Sequence, residues 1–499
     1  MTAEDSYDLL IIGGGINGTA IARDAAGRGL SVVLCEKDDL ARHTSSASTK
    51  LIHGGLRYLE YYEFRLVREA LIERERLLRA APHIIWPLRF VLPYDKGQRP
   101  AWMLRLGLFL YDNLGGRELL PGTKTVNLRK APHSAVLEER LKTGFEYSDC
   151  WVEDARLVAL NAVDAANHGA DIRVGVEVKA LDTVEGGYAA TLSDGRTVRV
   201  RGVVNAAGPW VDEVLFKVKR DRNDAGLRLV KGSHIVIPRH FPGEHAYIFQ
   251  NADNRIIFAI PYERDFTLIG TTDVPWEAAP GPMDISPEET DYLCAAASEY
   301  FVDDITADDV VWSYAGVRPL YDDKSEDASA VTRDYVLDID ELSGQRPVLS
   351  IYGGKITTSR KLAEHALEKL EDYYPSMGQA WTADAQLPGG DMPADDFDGF
   401  VHEQSARYPD VPGNIILHLC RAYGTRITLV LGDGPDAALG QRWGATLTEA
   451  EARYLRSHEW ALSADAILFR RTKHGVHMSE AERDAFARWM ETSALAGAA

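Results

Sequence analysis

The chain has 499 residues, 45% of them hydrophobic, which is enough for a large core divided over about three domains. Its formal net charge of -20 argues against general nucleic-acid binding, because so acidic a surface repels a phosphate backbone. Any anionic ligand must therefore bind in a local cationic pocket.

The cysteines and the N-terminal segment indicate a reduced, cytosolic protein. Cys35, Cys150, Cys294 and Cys420 lie far apart without a CxxC pair, which predicts free thiols and no metal or iron–sulfur centre built on them. The opening "MTAEDSYDLLIIGGG" is acidic and its apolar run is short, unlike a signal peptide. No apolar run approaches the roughly 18 residues of a spanning helix, so we expect any membrane contact to be peripheral.

The first predicted unit is "YDLLIIGGGINGTAIARDAAGRGLSVVLCEK", which indicates a strand over 7–12, a glycine turn, a helix over 19–28 and a second strand. Gly13, Gly15 and Gly18 fit GxGxxG, and Glu36 closes the second strand about 20 residues later. The glycines admit a pyrophosphate at the helix N-terminus, and the acid accepts from ribose hydroxyls. The alternative is a tight strand–helix turn that binds nothing.

The next stretch, "SSASTKLIHGGLRYLE", combines short hydroxyl donors with a glycine pair. It either contacts the nucleotide or forms a Ser/Thr-rich surface turn. Residues 60–81 then predict a charged helix that Pro82 ends.

Later segments return to small-residue turns after long insertions. A helix is predicted over 153–168, followed by strands ending in "VVNAAGPW". Short strands between 227 and 273 predict an antiparallel sheet that forms a substrate domain, and "PVLSIYGGKITTSRKLAEHALEKL" predicts strand, turn and helix. Helices fill the chain from about residue 385. Distant turns of this kind suit an extended cofactor such as FAD better than a nicotinamide dinucleotide bound by one compact domain.

Several motifs occur in the order of one known family. They are "IGGGINGTAIARDAAGRG", "TSSASTKLIHGGLRYLE", "LVKGSHIVIP", "IGTTD", "GVRPL", "TRDY" and "GGKITTSRKLAEHALEKL". On these the chain resembles the FAD-dependent glycerol-3-phosphate dehydrogenases of the aerobic, respiratory type. The resemblance implies an α/β fold like that of D-amino-acid oxidases, with a Rossmann-type FAD domain, an antiparallel β substrate domain and a helical C-terminal domain. The expected bounds are 1–80, 150–226 and 345–384 for the FAD domain, 81–149 and 227–344 for the substrate domain, and 385–499 for the C-terminal domain.

The resemblance and the glycine pattern together imply one set of FAD contacts. These are Gly13, Gly14, Gly15, Asn17, Gly18, Glu36, Thr44, Ser45, Ser46, Ser48, Thr49, Lys50, His53, Gly54, Gly55, Val178, Ala207, Gly208, Gly353, Gly354, Lys355 and Thr357. For the "GGKITT" turn, the alternative is an ordinary connection between strand and helix.

The implied reaction oxidises sn-glycerol 3-phosphate to dihydroxyacetone phosphate, with FAD taking the hydride and a quinone taking the electrons onward. The expected substrate contacts are Arg57, Tyr58, Thr271, Arg318, Arg333 and Lys355. Arginine binds phosphate through paired hydrogen bonds, and Arg318 and Lys355 are also expected in catalysis. The expected base is His234, with His53 as the alternative. No metal is expected.

Other functions stay open on the sequence. A glycerol-3-phosphate oxidase would pass the electrons to oxygen. An amine or amino-acid oxidase would bind a carboxylate instead of a phosphate. A flavin-binding scaffold without turnover would not need several cationic side chains at one site. A homodimer is one assembly compatible with the resemblance.

The stretch "RPAWMLRLGLFLYDNLGG" is the candidate for membrane contact. As an interfacial helix over 102–111 it would bury Trp102, Leu106, Phe109 and Leu110 below lipid headgroups, with Arg99 and Arg105 near anionic lipids. The alternative is a buried core helix. The expected location is the cytoplasm, on the inner face of the cytoplasmic membrane.

Overall fold

A computed structural model describes residues 5–95, 99–218, 227–253, 255–321, 334–341 and 346–496. The strands are, in chain order, β1 (Asp5–Ile12), β2 (Val32–Glu36), β3 (Leu51–Ile52), β4 (Ile85–Tyr94), β5 (Lys124–Asn127), β6 (Thr143–Val152), β7 (Asp171–Val174), β8 (Val178–Val184), β9 (Gly187–Leu192), β10 (Thr197–Asn205), β11 (Leu227–Pro238), β12 (Ala246–Gln250), β13 (Ile256–Tyr262), β14 (Phe266–Gly270), β15 (Val274–Trp276), β16 (Trp312–Tyr321), β17 (Val336–Glu341), β18 (Pro347–Tyr352), β19 (Arg442–Trp443) and β20 (Leu447–Thr448).

The α-helices follow the same order. They are α1 (Ile16–Gly27), α2 (Phe64–Ala80), α3 (Ala101–Leu114), α4 (Asp154–Asn167), α5 (Val211–Val218), α6 (Pro287–Ser298), α7 (Ser359–Leu370), α8 (Phe397–Arg407), α9 (Gly413–Tyr423), α10 (Ile427–Leu431), α11 (Glu449–His458), α12 (His474–His477) and α13 (Glu480–Ala496).

The first sheet is the nucleotide-binding type that the opening motif predicts. Its strands lie in the order β17-β18-β10-β1-β2-β7, with β8 and β9 paired beside β10. The neighbours β18, β10, β1, β2 and β7 are parallel, so the carboxyl ends of these strands meet at one edge. Parallel strands covered on both faces are almost wholly apolar, and β2 is buried at every residue.

The second sheet is the antiparallel layer expected of the substrate domain. Its main path runs β15-β11-β14-β13-β12-β4-β6-β3, with β16 on β11 and β5 on β6. The pairing is antiparallel except between β12 and β4, which are parallel. The expected domain bounds differ from this pairing in three places, because β3 and the last residues of β6 (150–152) pair within the second sheet, and β17 joins the first.

Two predicted helices have different bounds. The first begins at Ile16, because the helix starts directly after the extended Gly15. The helix expected over 60–81 begins only at Phe64, and a short 3₁₀ helix over Leu56–Tyr61 precedes it. Tyr62 separates the two with a left-handed backbone (φ 59), which no continuous helix contains.

The C-terminal helices α8–α13 enclose a hydrophobic core of their own, from Met392 to Met490. The first of these helices begins at Phe397, after the expected boundary at 385. Within the described ranges, every helix is too short or too polar to span a bilayer.

Candidate active site

A cavity lies where the parallel strands of the first sheet end. The segments that follow β1, β2, β10 and β18 line it, which is where ligands bind in open α/β sheets. The lining includes the predicted residues Gly13, Gly15, Asn17, Glu36, Thr44, Ser45, Val178, Ala207, Gly208, Gly353 and Gly354.

The glycines of the first turn are required by close backbone packing. Gly13 has a φ of +112°, and a Cβ there would lie 2.5 Å from the carbonyl oxygen of Ala206. A Cβ on Gly18 would lie 2.0 Å from the carbonyl oxygen of Gly13. The side chain of Glu36 accepts hydrogen bonds from the Gly14 and Asp38 amides at 2.7 and 2.8 Å, which fixes its carboxylate beside the turn.

Two observations indicate that this cavity fits a polar ligand. Asn17 donates through Nδ2 to the Gly353 carbonyl at 3.0 Å, while its buried Oδ1 has no partner among the described residues. Burial raises the pKa of Glu36, whereas its two backbone donors lower it. A carboxylate in that setting still has free lone pairs for hydroxyl donors.

The sequence reasoning missed aromatic and cationic groups of the same cavity. Trp210 lines it, its ring 4.6 Å from the imidazole of His43, and the Lys37 ammonium lies 3.7 Å from the Trp210 ring centroid. Trp210 ends the segment "VVNAAGPW", so the aromatic residue that follows this small-residue turn could have been predicted to line the cavity.

The segment from Thr44 to Lys50 connects several elements. The Ser45 hydroxyl accepts from the Ile16 amide at 3.0 Å, and the Thr44 hydroxyl donates to the Val317 carbonyl at 2.7 Å. The Lys50 ammonium donates to both carboxylate oxygens of Asp154 at 2.9 Å.

Other hydroxyls of this segment also make protein contacts. Ser48 donates to Asp154 at 2.8 Å, and Ser46 contacts the His43 carbonyl at 3.3 Å. These contacts hold the segment on α4, and the expectation that Ser46, Ser48 and Lys50 also contact the cofactor stays a prediction.

A buried hydrogen-bond network of Tyr111, Asp149 and Arg74, which the sequence did not predict, supports the Gly54–Gly55 turn. The Gly54 amide donates to the Tyr111 hydroxyl at 2.7 Å, and Tyr111 donates to Asp149 at the same distance. Arg74 pairs with this carboxylate at 2.8 Å.

Close to this turn, His53 takes a defined orientation. The Gly55 amide donates to His53 Nδ1 at 3.1 Å, and the His53 amide donates to Thr357 Oγ1 at 3.2 Å. Burial lowers the pKa of His53, so the ring is neutral near pH 7.

Arg318 and Thr271 come together over Gly232 of the neighbouring strand. A Cβ on Gly232 would lie 2.6 Å from Arg318 Nη2 and 2.9 Å from Thr271 Oγ1. Arg318 also donates to the Thr272 carbonyl at 2.8 Å and pairs with Asp273 at 2.7 Å. The sequence did not predict the ion pair with Asp273. This pair gives the half-exposed Arg318 guanidinium a carboxylate partner within the protein.

A second predicted pair involves Lys355 and Tyr58. The Lys355 ammonium lies 4.1 Å from the Tyr58 ring centroid, and a Cβ on Gly55 would lie 2.3 Å from that ring. Arg57 lines a different cavity, together with Arg99 and residues of α3. Its convergence with Arg318 stays a prediction, and Arg333 lies outside the described residues.

His234 is buried within the second sheet. Its Nε2 lies 3.0 Å from Thr49 Oγ1, its ring stacks on Tyr314 at 4.8 Å, and its buried Nδ1 has no hydrogen-bond partner in the described part of the chain. Burial, together with the charges of Lys50 and Arg318, lowers the pKa of His234 well below 6.5. A neutral imidazole is the state that a general base requires.

Known proteins resemble the chain along most of its length. The family model described as FAD dependent oxidoreductase matches residues 8–360, and the C-terminal domain of alpha-glycerophosphate oxidase matches residues 380–494. The chain belongs to the FAD-dependent oxidoreductase family.

Individual relatives of this oxidoreductase are glycerol-3-phosphate and erythritol-phosphate dehydrogenases. It is 51% identical to the D-erythritol 1-phosphate dehydrogenase of Brucella abortus over 99% of this chain and 100% of that one. It is 48% identical to the aerobic glycerol-3-phosphate dehydrogenase of Escherichia coli over 97% of both chains.

Among solved structures, the glycerol-3-phosphate dehydrogenase of Bacillus halodurans complexed with FAD has a TM-score of 0.74 to this oxidoreductase. The two are 28% identical, and the match covers 98% of this chain and 95% of that one. The predicted fold class and FAD as cofactor are therefore confirmed.

Proposed function

We propose that this FAD-dependent oxidoreductase oxidises sn-glycerol 3-phosphate to dihydroxyacetone phosphate and passes the electrons to a quinone. The observation that carries the proposal is the similarity, at nearly half of all positions and over 97% of the chain, to glycerol-3-phosphate dehydrogenases of two bacteria. The oxidation removes a hydride, which FAD accepts when bound, and a proton, which a side chain must take.

The fixed position of Arg318 supports a phosphate ester as substrate. Arg318 is fixed by the Thr272 carbonyl and Asp273, so its guanidinium is already oriented before substrate binds. Thr272 is itself held, because its hydroxyl donates to Glu289 at 2.8 Å and accepts from the Ser233 amide at 2.9 Å. An arginine oriented in this way binds phosphate oxygens with little loss of side-chain entropy.

His234 is the proposed base, with His53 as the alternative. Both rings are neutral near pH 7 because burial lowers the pKa of each. His53 Nδ1 already accepts from the Gly55 amide, whereas His234 Nδ1 is without a partner among the described residues. When Nε2 donates to the Thr49 hydroxyl, His234 Nδ1 has a lone pair that no described group uses, which favours His234 as the base.

D-Erythritol 1-phosphate is the second candidate substrate, favoured by the 51% identity to the Brucella abortus enzyme. Steady-state kinetics with sn-glycerol 3-phosphate, D-erythritol 1-phosphate and glycerol as substrates separates the candidates. We expect the highest kcat/KM with sn-glycerol 3-phosphate and the lowest with glycerol. A higher kcat/KM with the tetritol phosphate would reassign the substrate.

The electron acceptor needs a separate experiment. Stopped-flow reoxidation of the reduced enzyme should be much faster with a short-chain quinone than with oxygen. Rapid peroxide formation would instead identify an oxidase.

The proposed location is the inner face of the cytoplasmic membrane, with α3 as the contact surface. Trp102, Met103, Leu106 and Phe109 are exposed at 65, 38, 50 and 63%, and helical spacing places them on one face. The opposite face buries Leu108 and Tyr111, so the alternative of a fully buried core helix is wrong.

A further inference from the structure

The C-terminal domain contains a buried cluster of two histidines and a glutamate that the proposed reaction does not use. His418 lies on α9, Glu451 on α11 and His474 at the start of α12. One nitrogen or oxygen from each lies within 4.8 Å of the others, and within the described ranges this is the single group of its kind.

The two oxygens of Glu451 have unequal surroundings. Oε1 accepts from His418 Nε2 at 2.6 Å and from the Tyr423 hydroxyl at 2.7 Å. Oε2 lies 3.5 Å from His474 Nε2, and neither atom has a hydrogen-bond partner in the part of the chain described. Glu451 is fully buried, and a buried carboxylate oxygen without a donor is costly.

A divalent cation between these two atoms would satisfy both. Ligand atoms about 2.1 Å from a tetrahedral Zn²⁺ lie about 3.4 Å apart, close to the observed 3.5 Å. His474 Nδ1 lies 3.1 Å from Thr446 Oγ1, and a hydrogen bond from Nδ1 to that hydroxyl leaves Nε2 as the metal-binding atom.

We propose that His418 Nε2, Glu451 Oε2 and His474 Nε2 bind a Zn²⁺ ion or a similar divalent cation, with water as the fourth ligand. When His418 turns to the metal, Oε1 keeps its hydrogen bond from Tyr423. The His418 side chain is 18% exposed, so this corner of the cluster gives the ion a route from solvent.

The position of the cluster indicates a structural role. His474 follows Arg470 and Arg471, both of which pair with the buried Asp39 at the nucleotide-binding end of the first sheet. A cation that joins α9, α11 and α12 therefore also fixes the segment through which the C-terminal domain contacts the nucleotide-binding domain.

The test uses the tag-free holoenzyme and Zn²⁺ as the probe. After chelation and gel filtration, competition with a chromophoric chelator gives affinity and stoichiometry. We expect one tight site per chain and a melting temperature that falls on chelation and recovers with Zn²⁺. His418→Gln, at the edge of the cluster, should bind Zn²⁺ more than about a hundredfold more weakly than the parent. Loss of a hydrogen bond to a metal ligand already lowers metal affinity about 10- to 100-fold, and loss of the ligand itself should lower it further.

Two further variants sharpen the result. Thr446→Val should weaken Zn²⁺ binding by about 10- to 100-fold, while His402→Gln, at an exposed histidine of α8, should leave it unchanged. The proposal is overturned if the parent binds no Zn²⁺, or if His418→Gln binds it as tightly as the parent. A melting temperature that depends on pH but not on Zn²⁺ would show that protons alone occupy the cluster.

Discussion

At the scale of single residues, two strand glycines give space to larger polar side chains of the predicted substrate site. Gly232 lies under Arg318 and Thr271, and Gly270 lies under His234, where a Cβ would come within 2.1 Å of the ring. Each glycine belongs to a strand, where glycine otherwise weakens pairing, so its presence has a steric reason.

Gly232→Ala should raise the KM for the phosphorylated substrate about tenfold, because the new methyl group displaces the Arg318 guanidinium from its fixed position. One bond between a charged donor and phosphate contributes about 1.5–3 kcal/mol, and a displaced arginine keeps part of it. Steady-state kinetics measures the change. Gly281→Ala is the control, because its Cβ meets nothing within 4 Å. If Gly232→Ala leaves the KM unchanged, Arg318 does not bind the substrate phosphate.

His234→Asn should remove the acidic limb of the pH profile of kcat/KM. Because the pKa of His234 is lowered well below 6.5, the limb in the parent should lie below that pH. The free energy of unfolding should also fall with pH. Above pH 6.5 His234 is neutral in both the folded and the unfolded chain, and below that pH the unfolded chain takes up a proton that the folded chain does not. If the limb persists in His234→Asn and disappears in His53→Asn, His53 is the base.

At the scale of elements, α3 combines two environments in one helix. Its inner face packs Leu108 and Tyr111 into the core and thereby supports the Gly54 turn through the Tyr111 hydroxyl. Trp102, Met103 and Leu106 of its outer face line one cavity together with the exposed rings of Tyr62 and Phe64. The apolar surface is therefore larger than the helix alone.

Trp102→Ser combined with Phe109→Ser should lower the partition of the enzyme onto anionic vesicles more than about tenfold. Each large apolar side chain contributes about 1.5–3 kcal/mol when it leaves water. Flotation measures the bound fraction. Leu462→Ser is the control, since Leu462 is 64% exposed on the C-terminal domain. Equal flotation of all three proteins would exclude α3 as the lipid contact.

At the scale of the whole molecule, buried ion pairs join the C-terminal domain to the nucleotide-binding domain. Arg156 of α4 pairs with Glu459 and donates to the Ala422 carbonyl at 2.8 Å. Arg471 connects the Glu459 carbonyl, at 3.0 Å, to Asp39, at 2.7 Å. Charges buried at such a contact fix the relative position of the domains, because any other position would leave them unpaired.

Glu459→Gln should lower the free energy of unfolding by about 3–5 kcal/mol, because it leaves the Arg156 guanidinium buried without a carboxylate. Urea unfolding followed by circular dichroism measures the loss. Glu139→Gln is the control, because that side chain is 88% exposed in its pair with Arg129 and should change stability by less than about 1 kcal/mol. Similar losses in both variants would contradict the structural role of the pair.

The sequence by itself determined the local features: the glycine turn with Glu36, the strand–turn–helix at Gly353, the antiparallel run after Leu227 and the helical C-terminal domain. These follow from short-range periodicity and from turn residues, which act within one element. Family motifs added FAD and the class of reaction.

Tertiary structure alone decided which of these residues meet. The arginine partners of Asp149 and Asp273 could not be read from the chain, because each carboxylate is paired by an arginine that reaches it from a distant helix or strand. The assignment of β3 and β17 to their sheets likewise depends on long-range packing. Such contacts join residues far apart in the chain, and their geometry exists only once both sheets and the C-terminal domain have packed together.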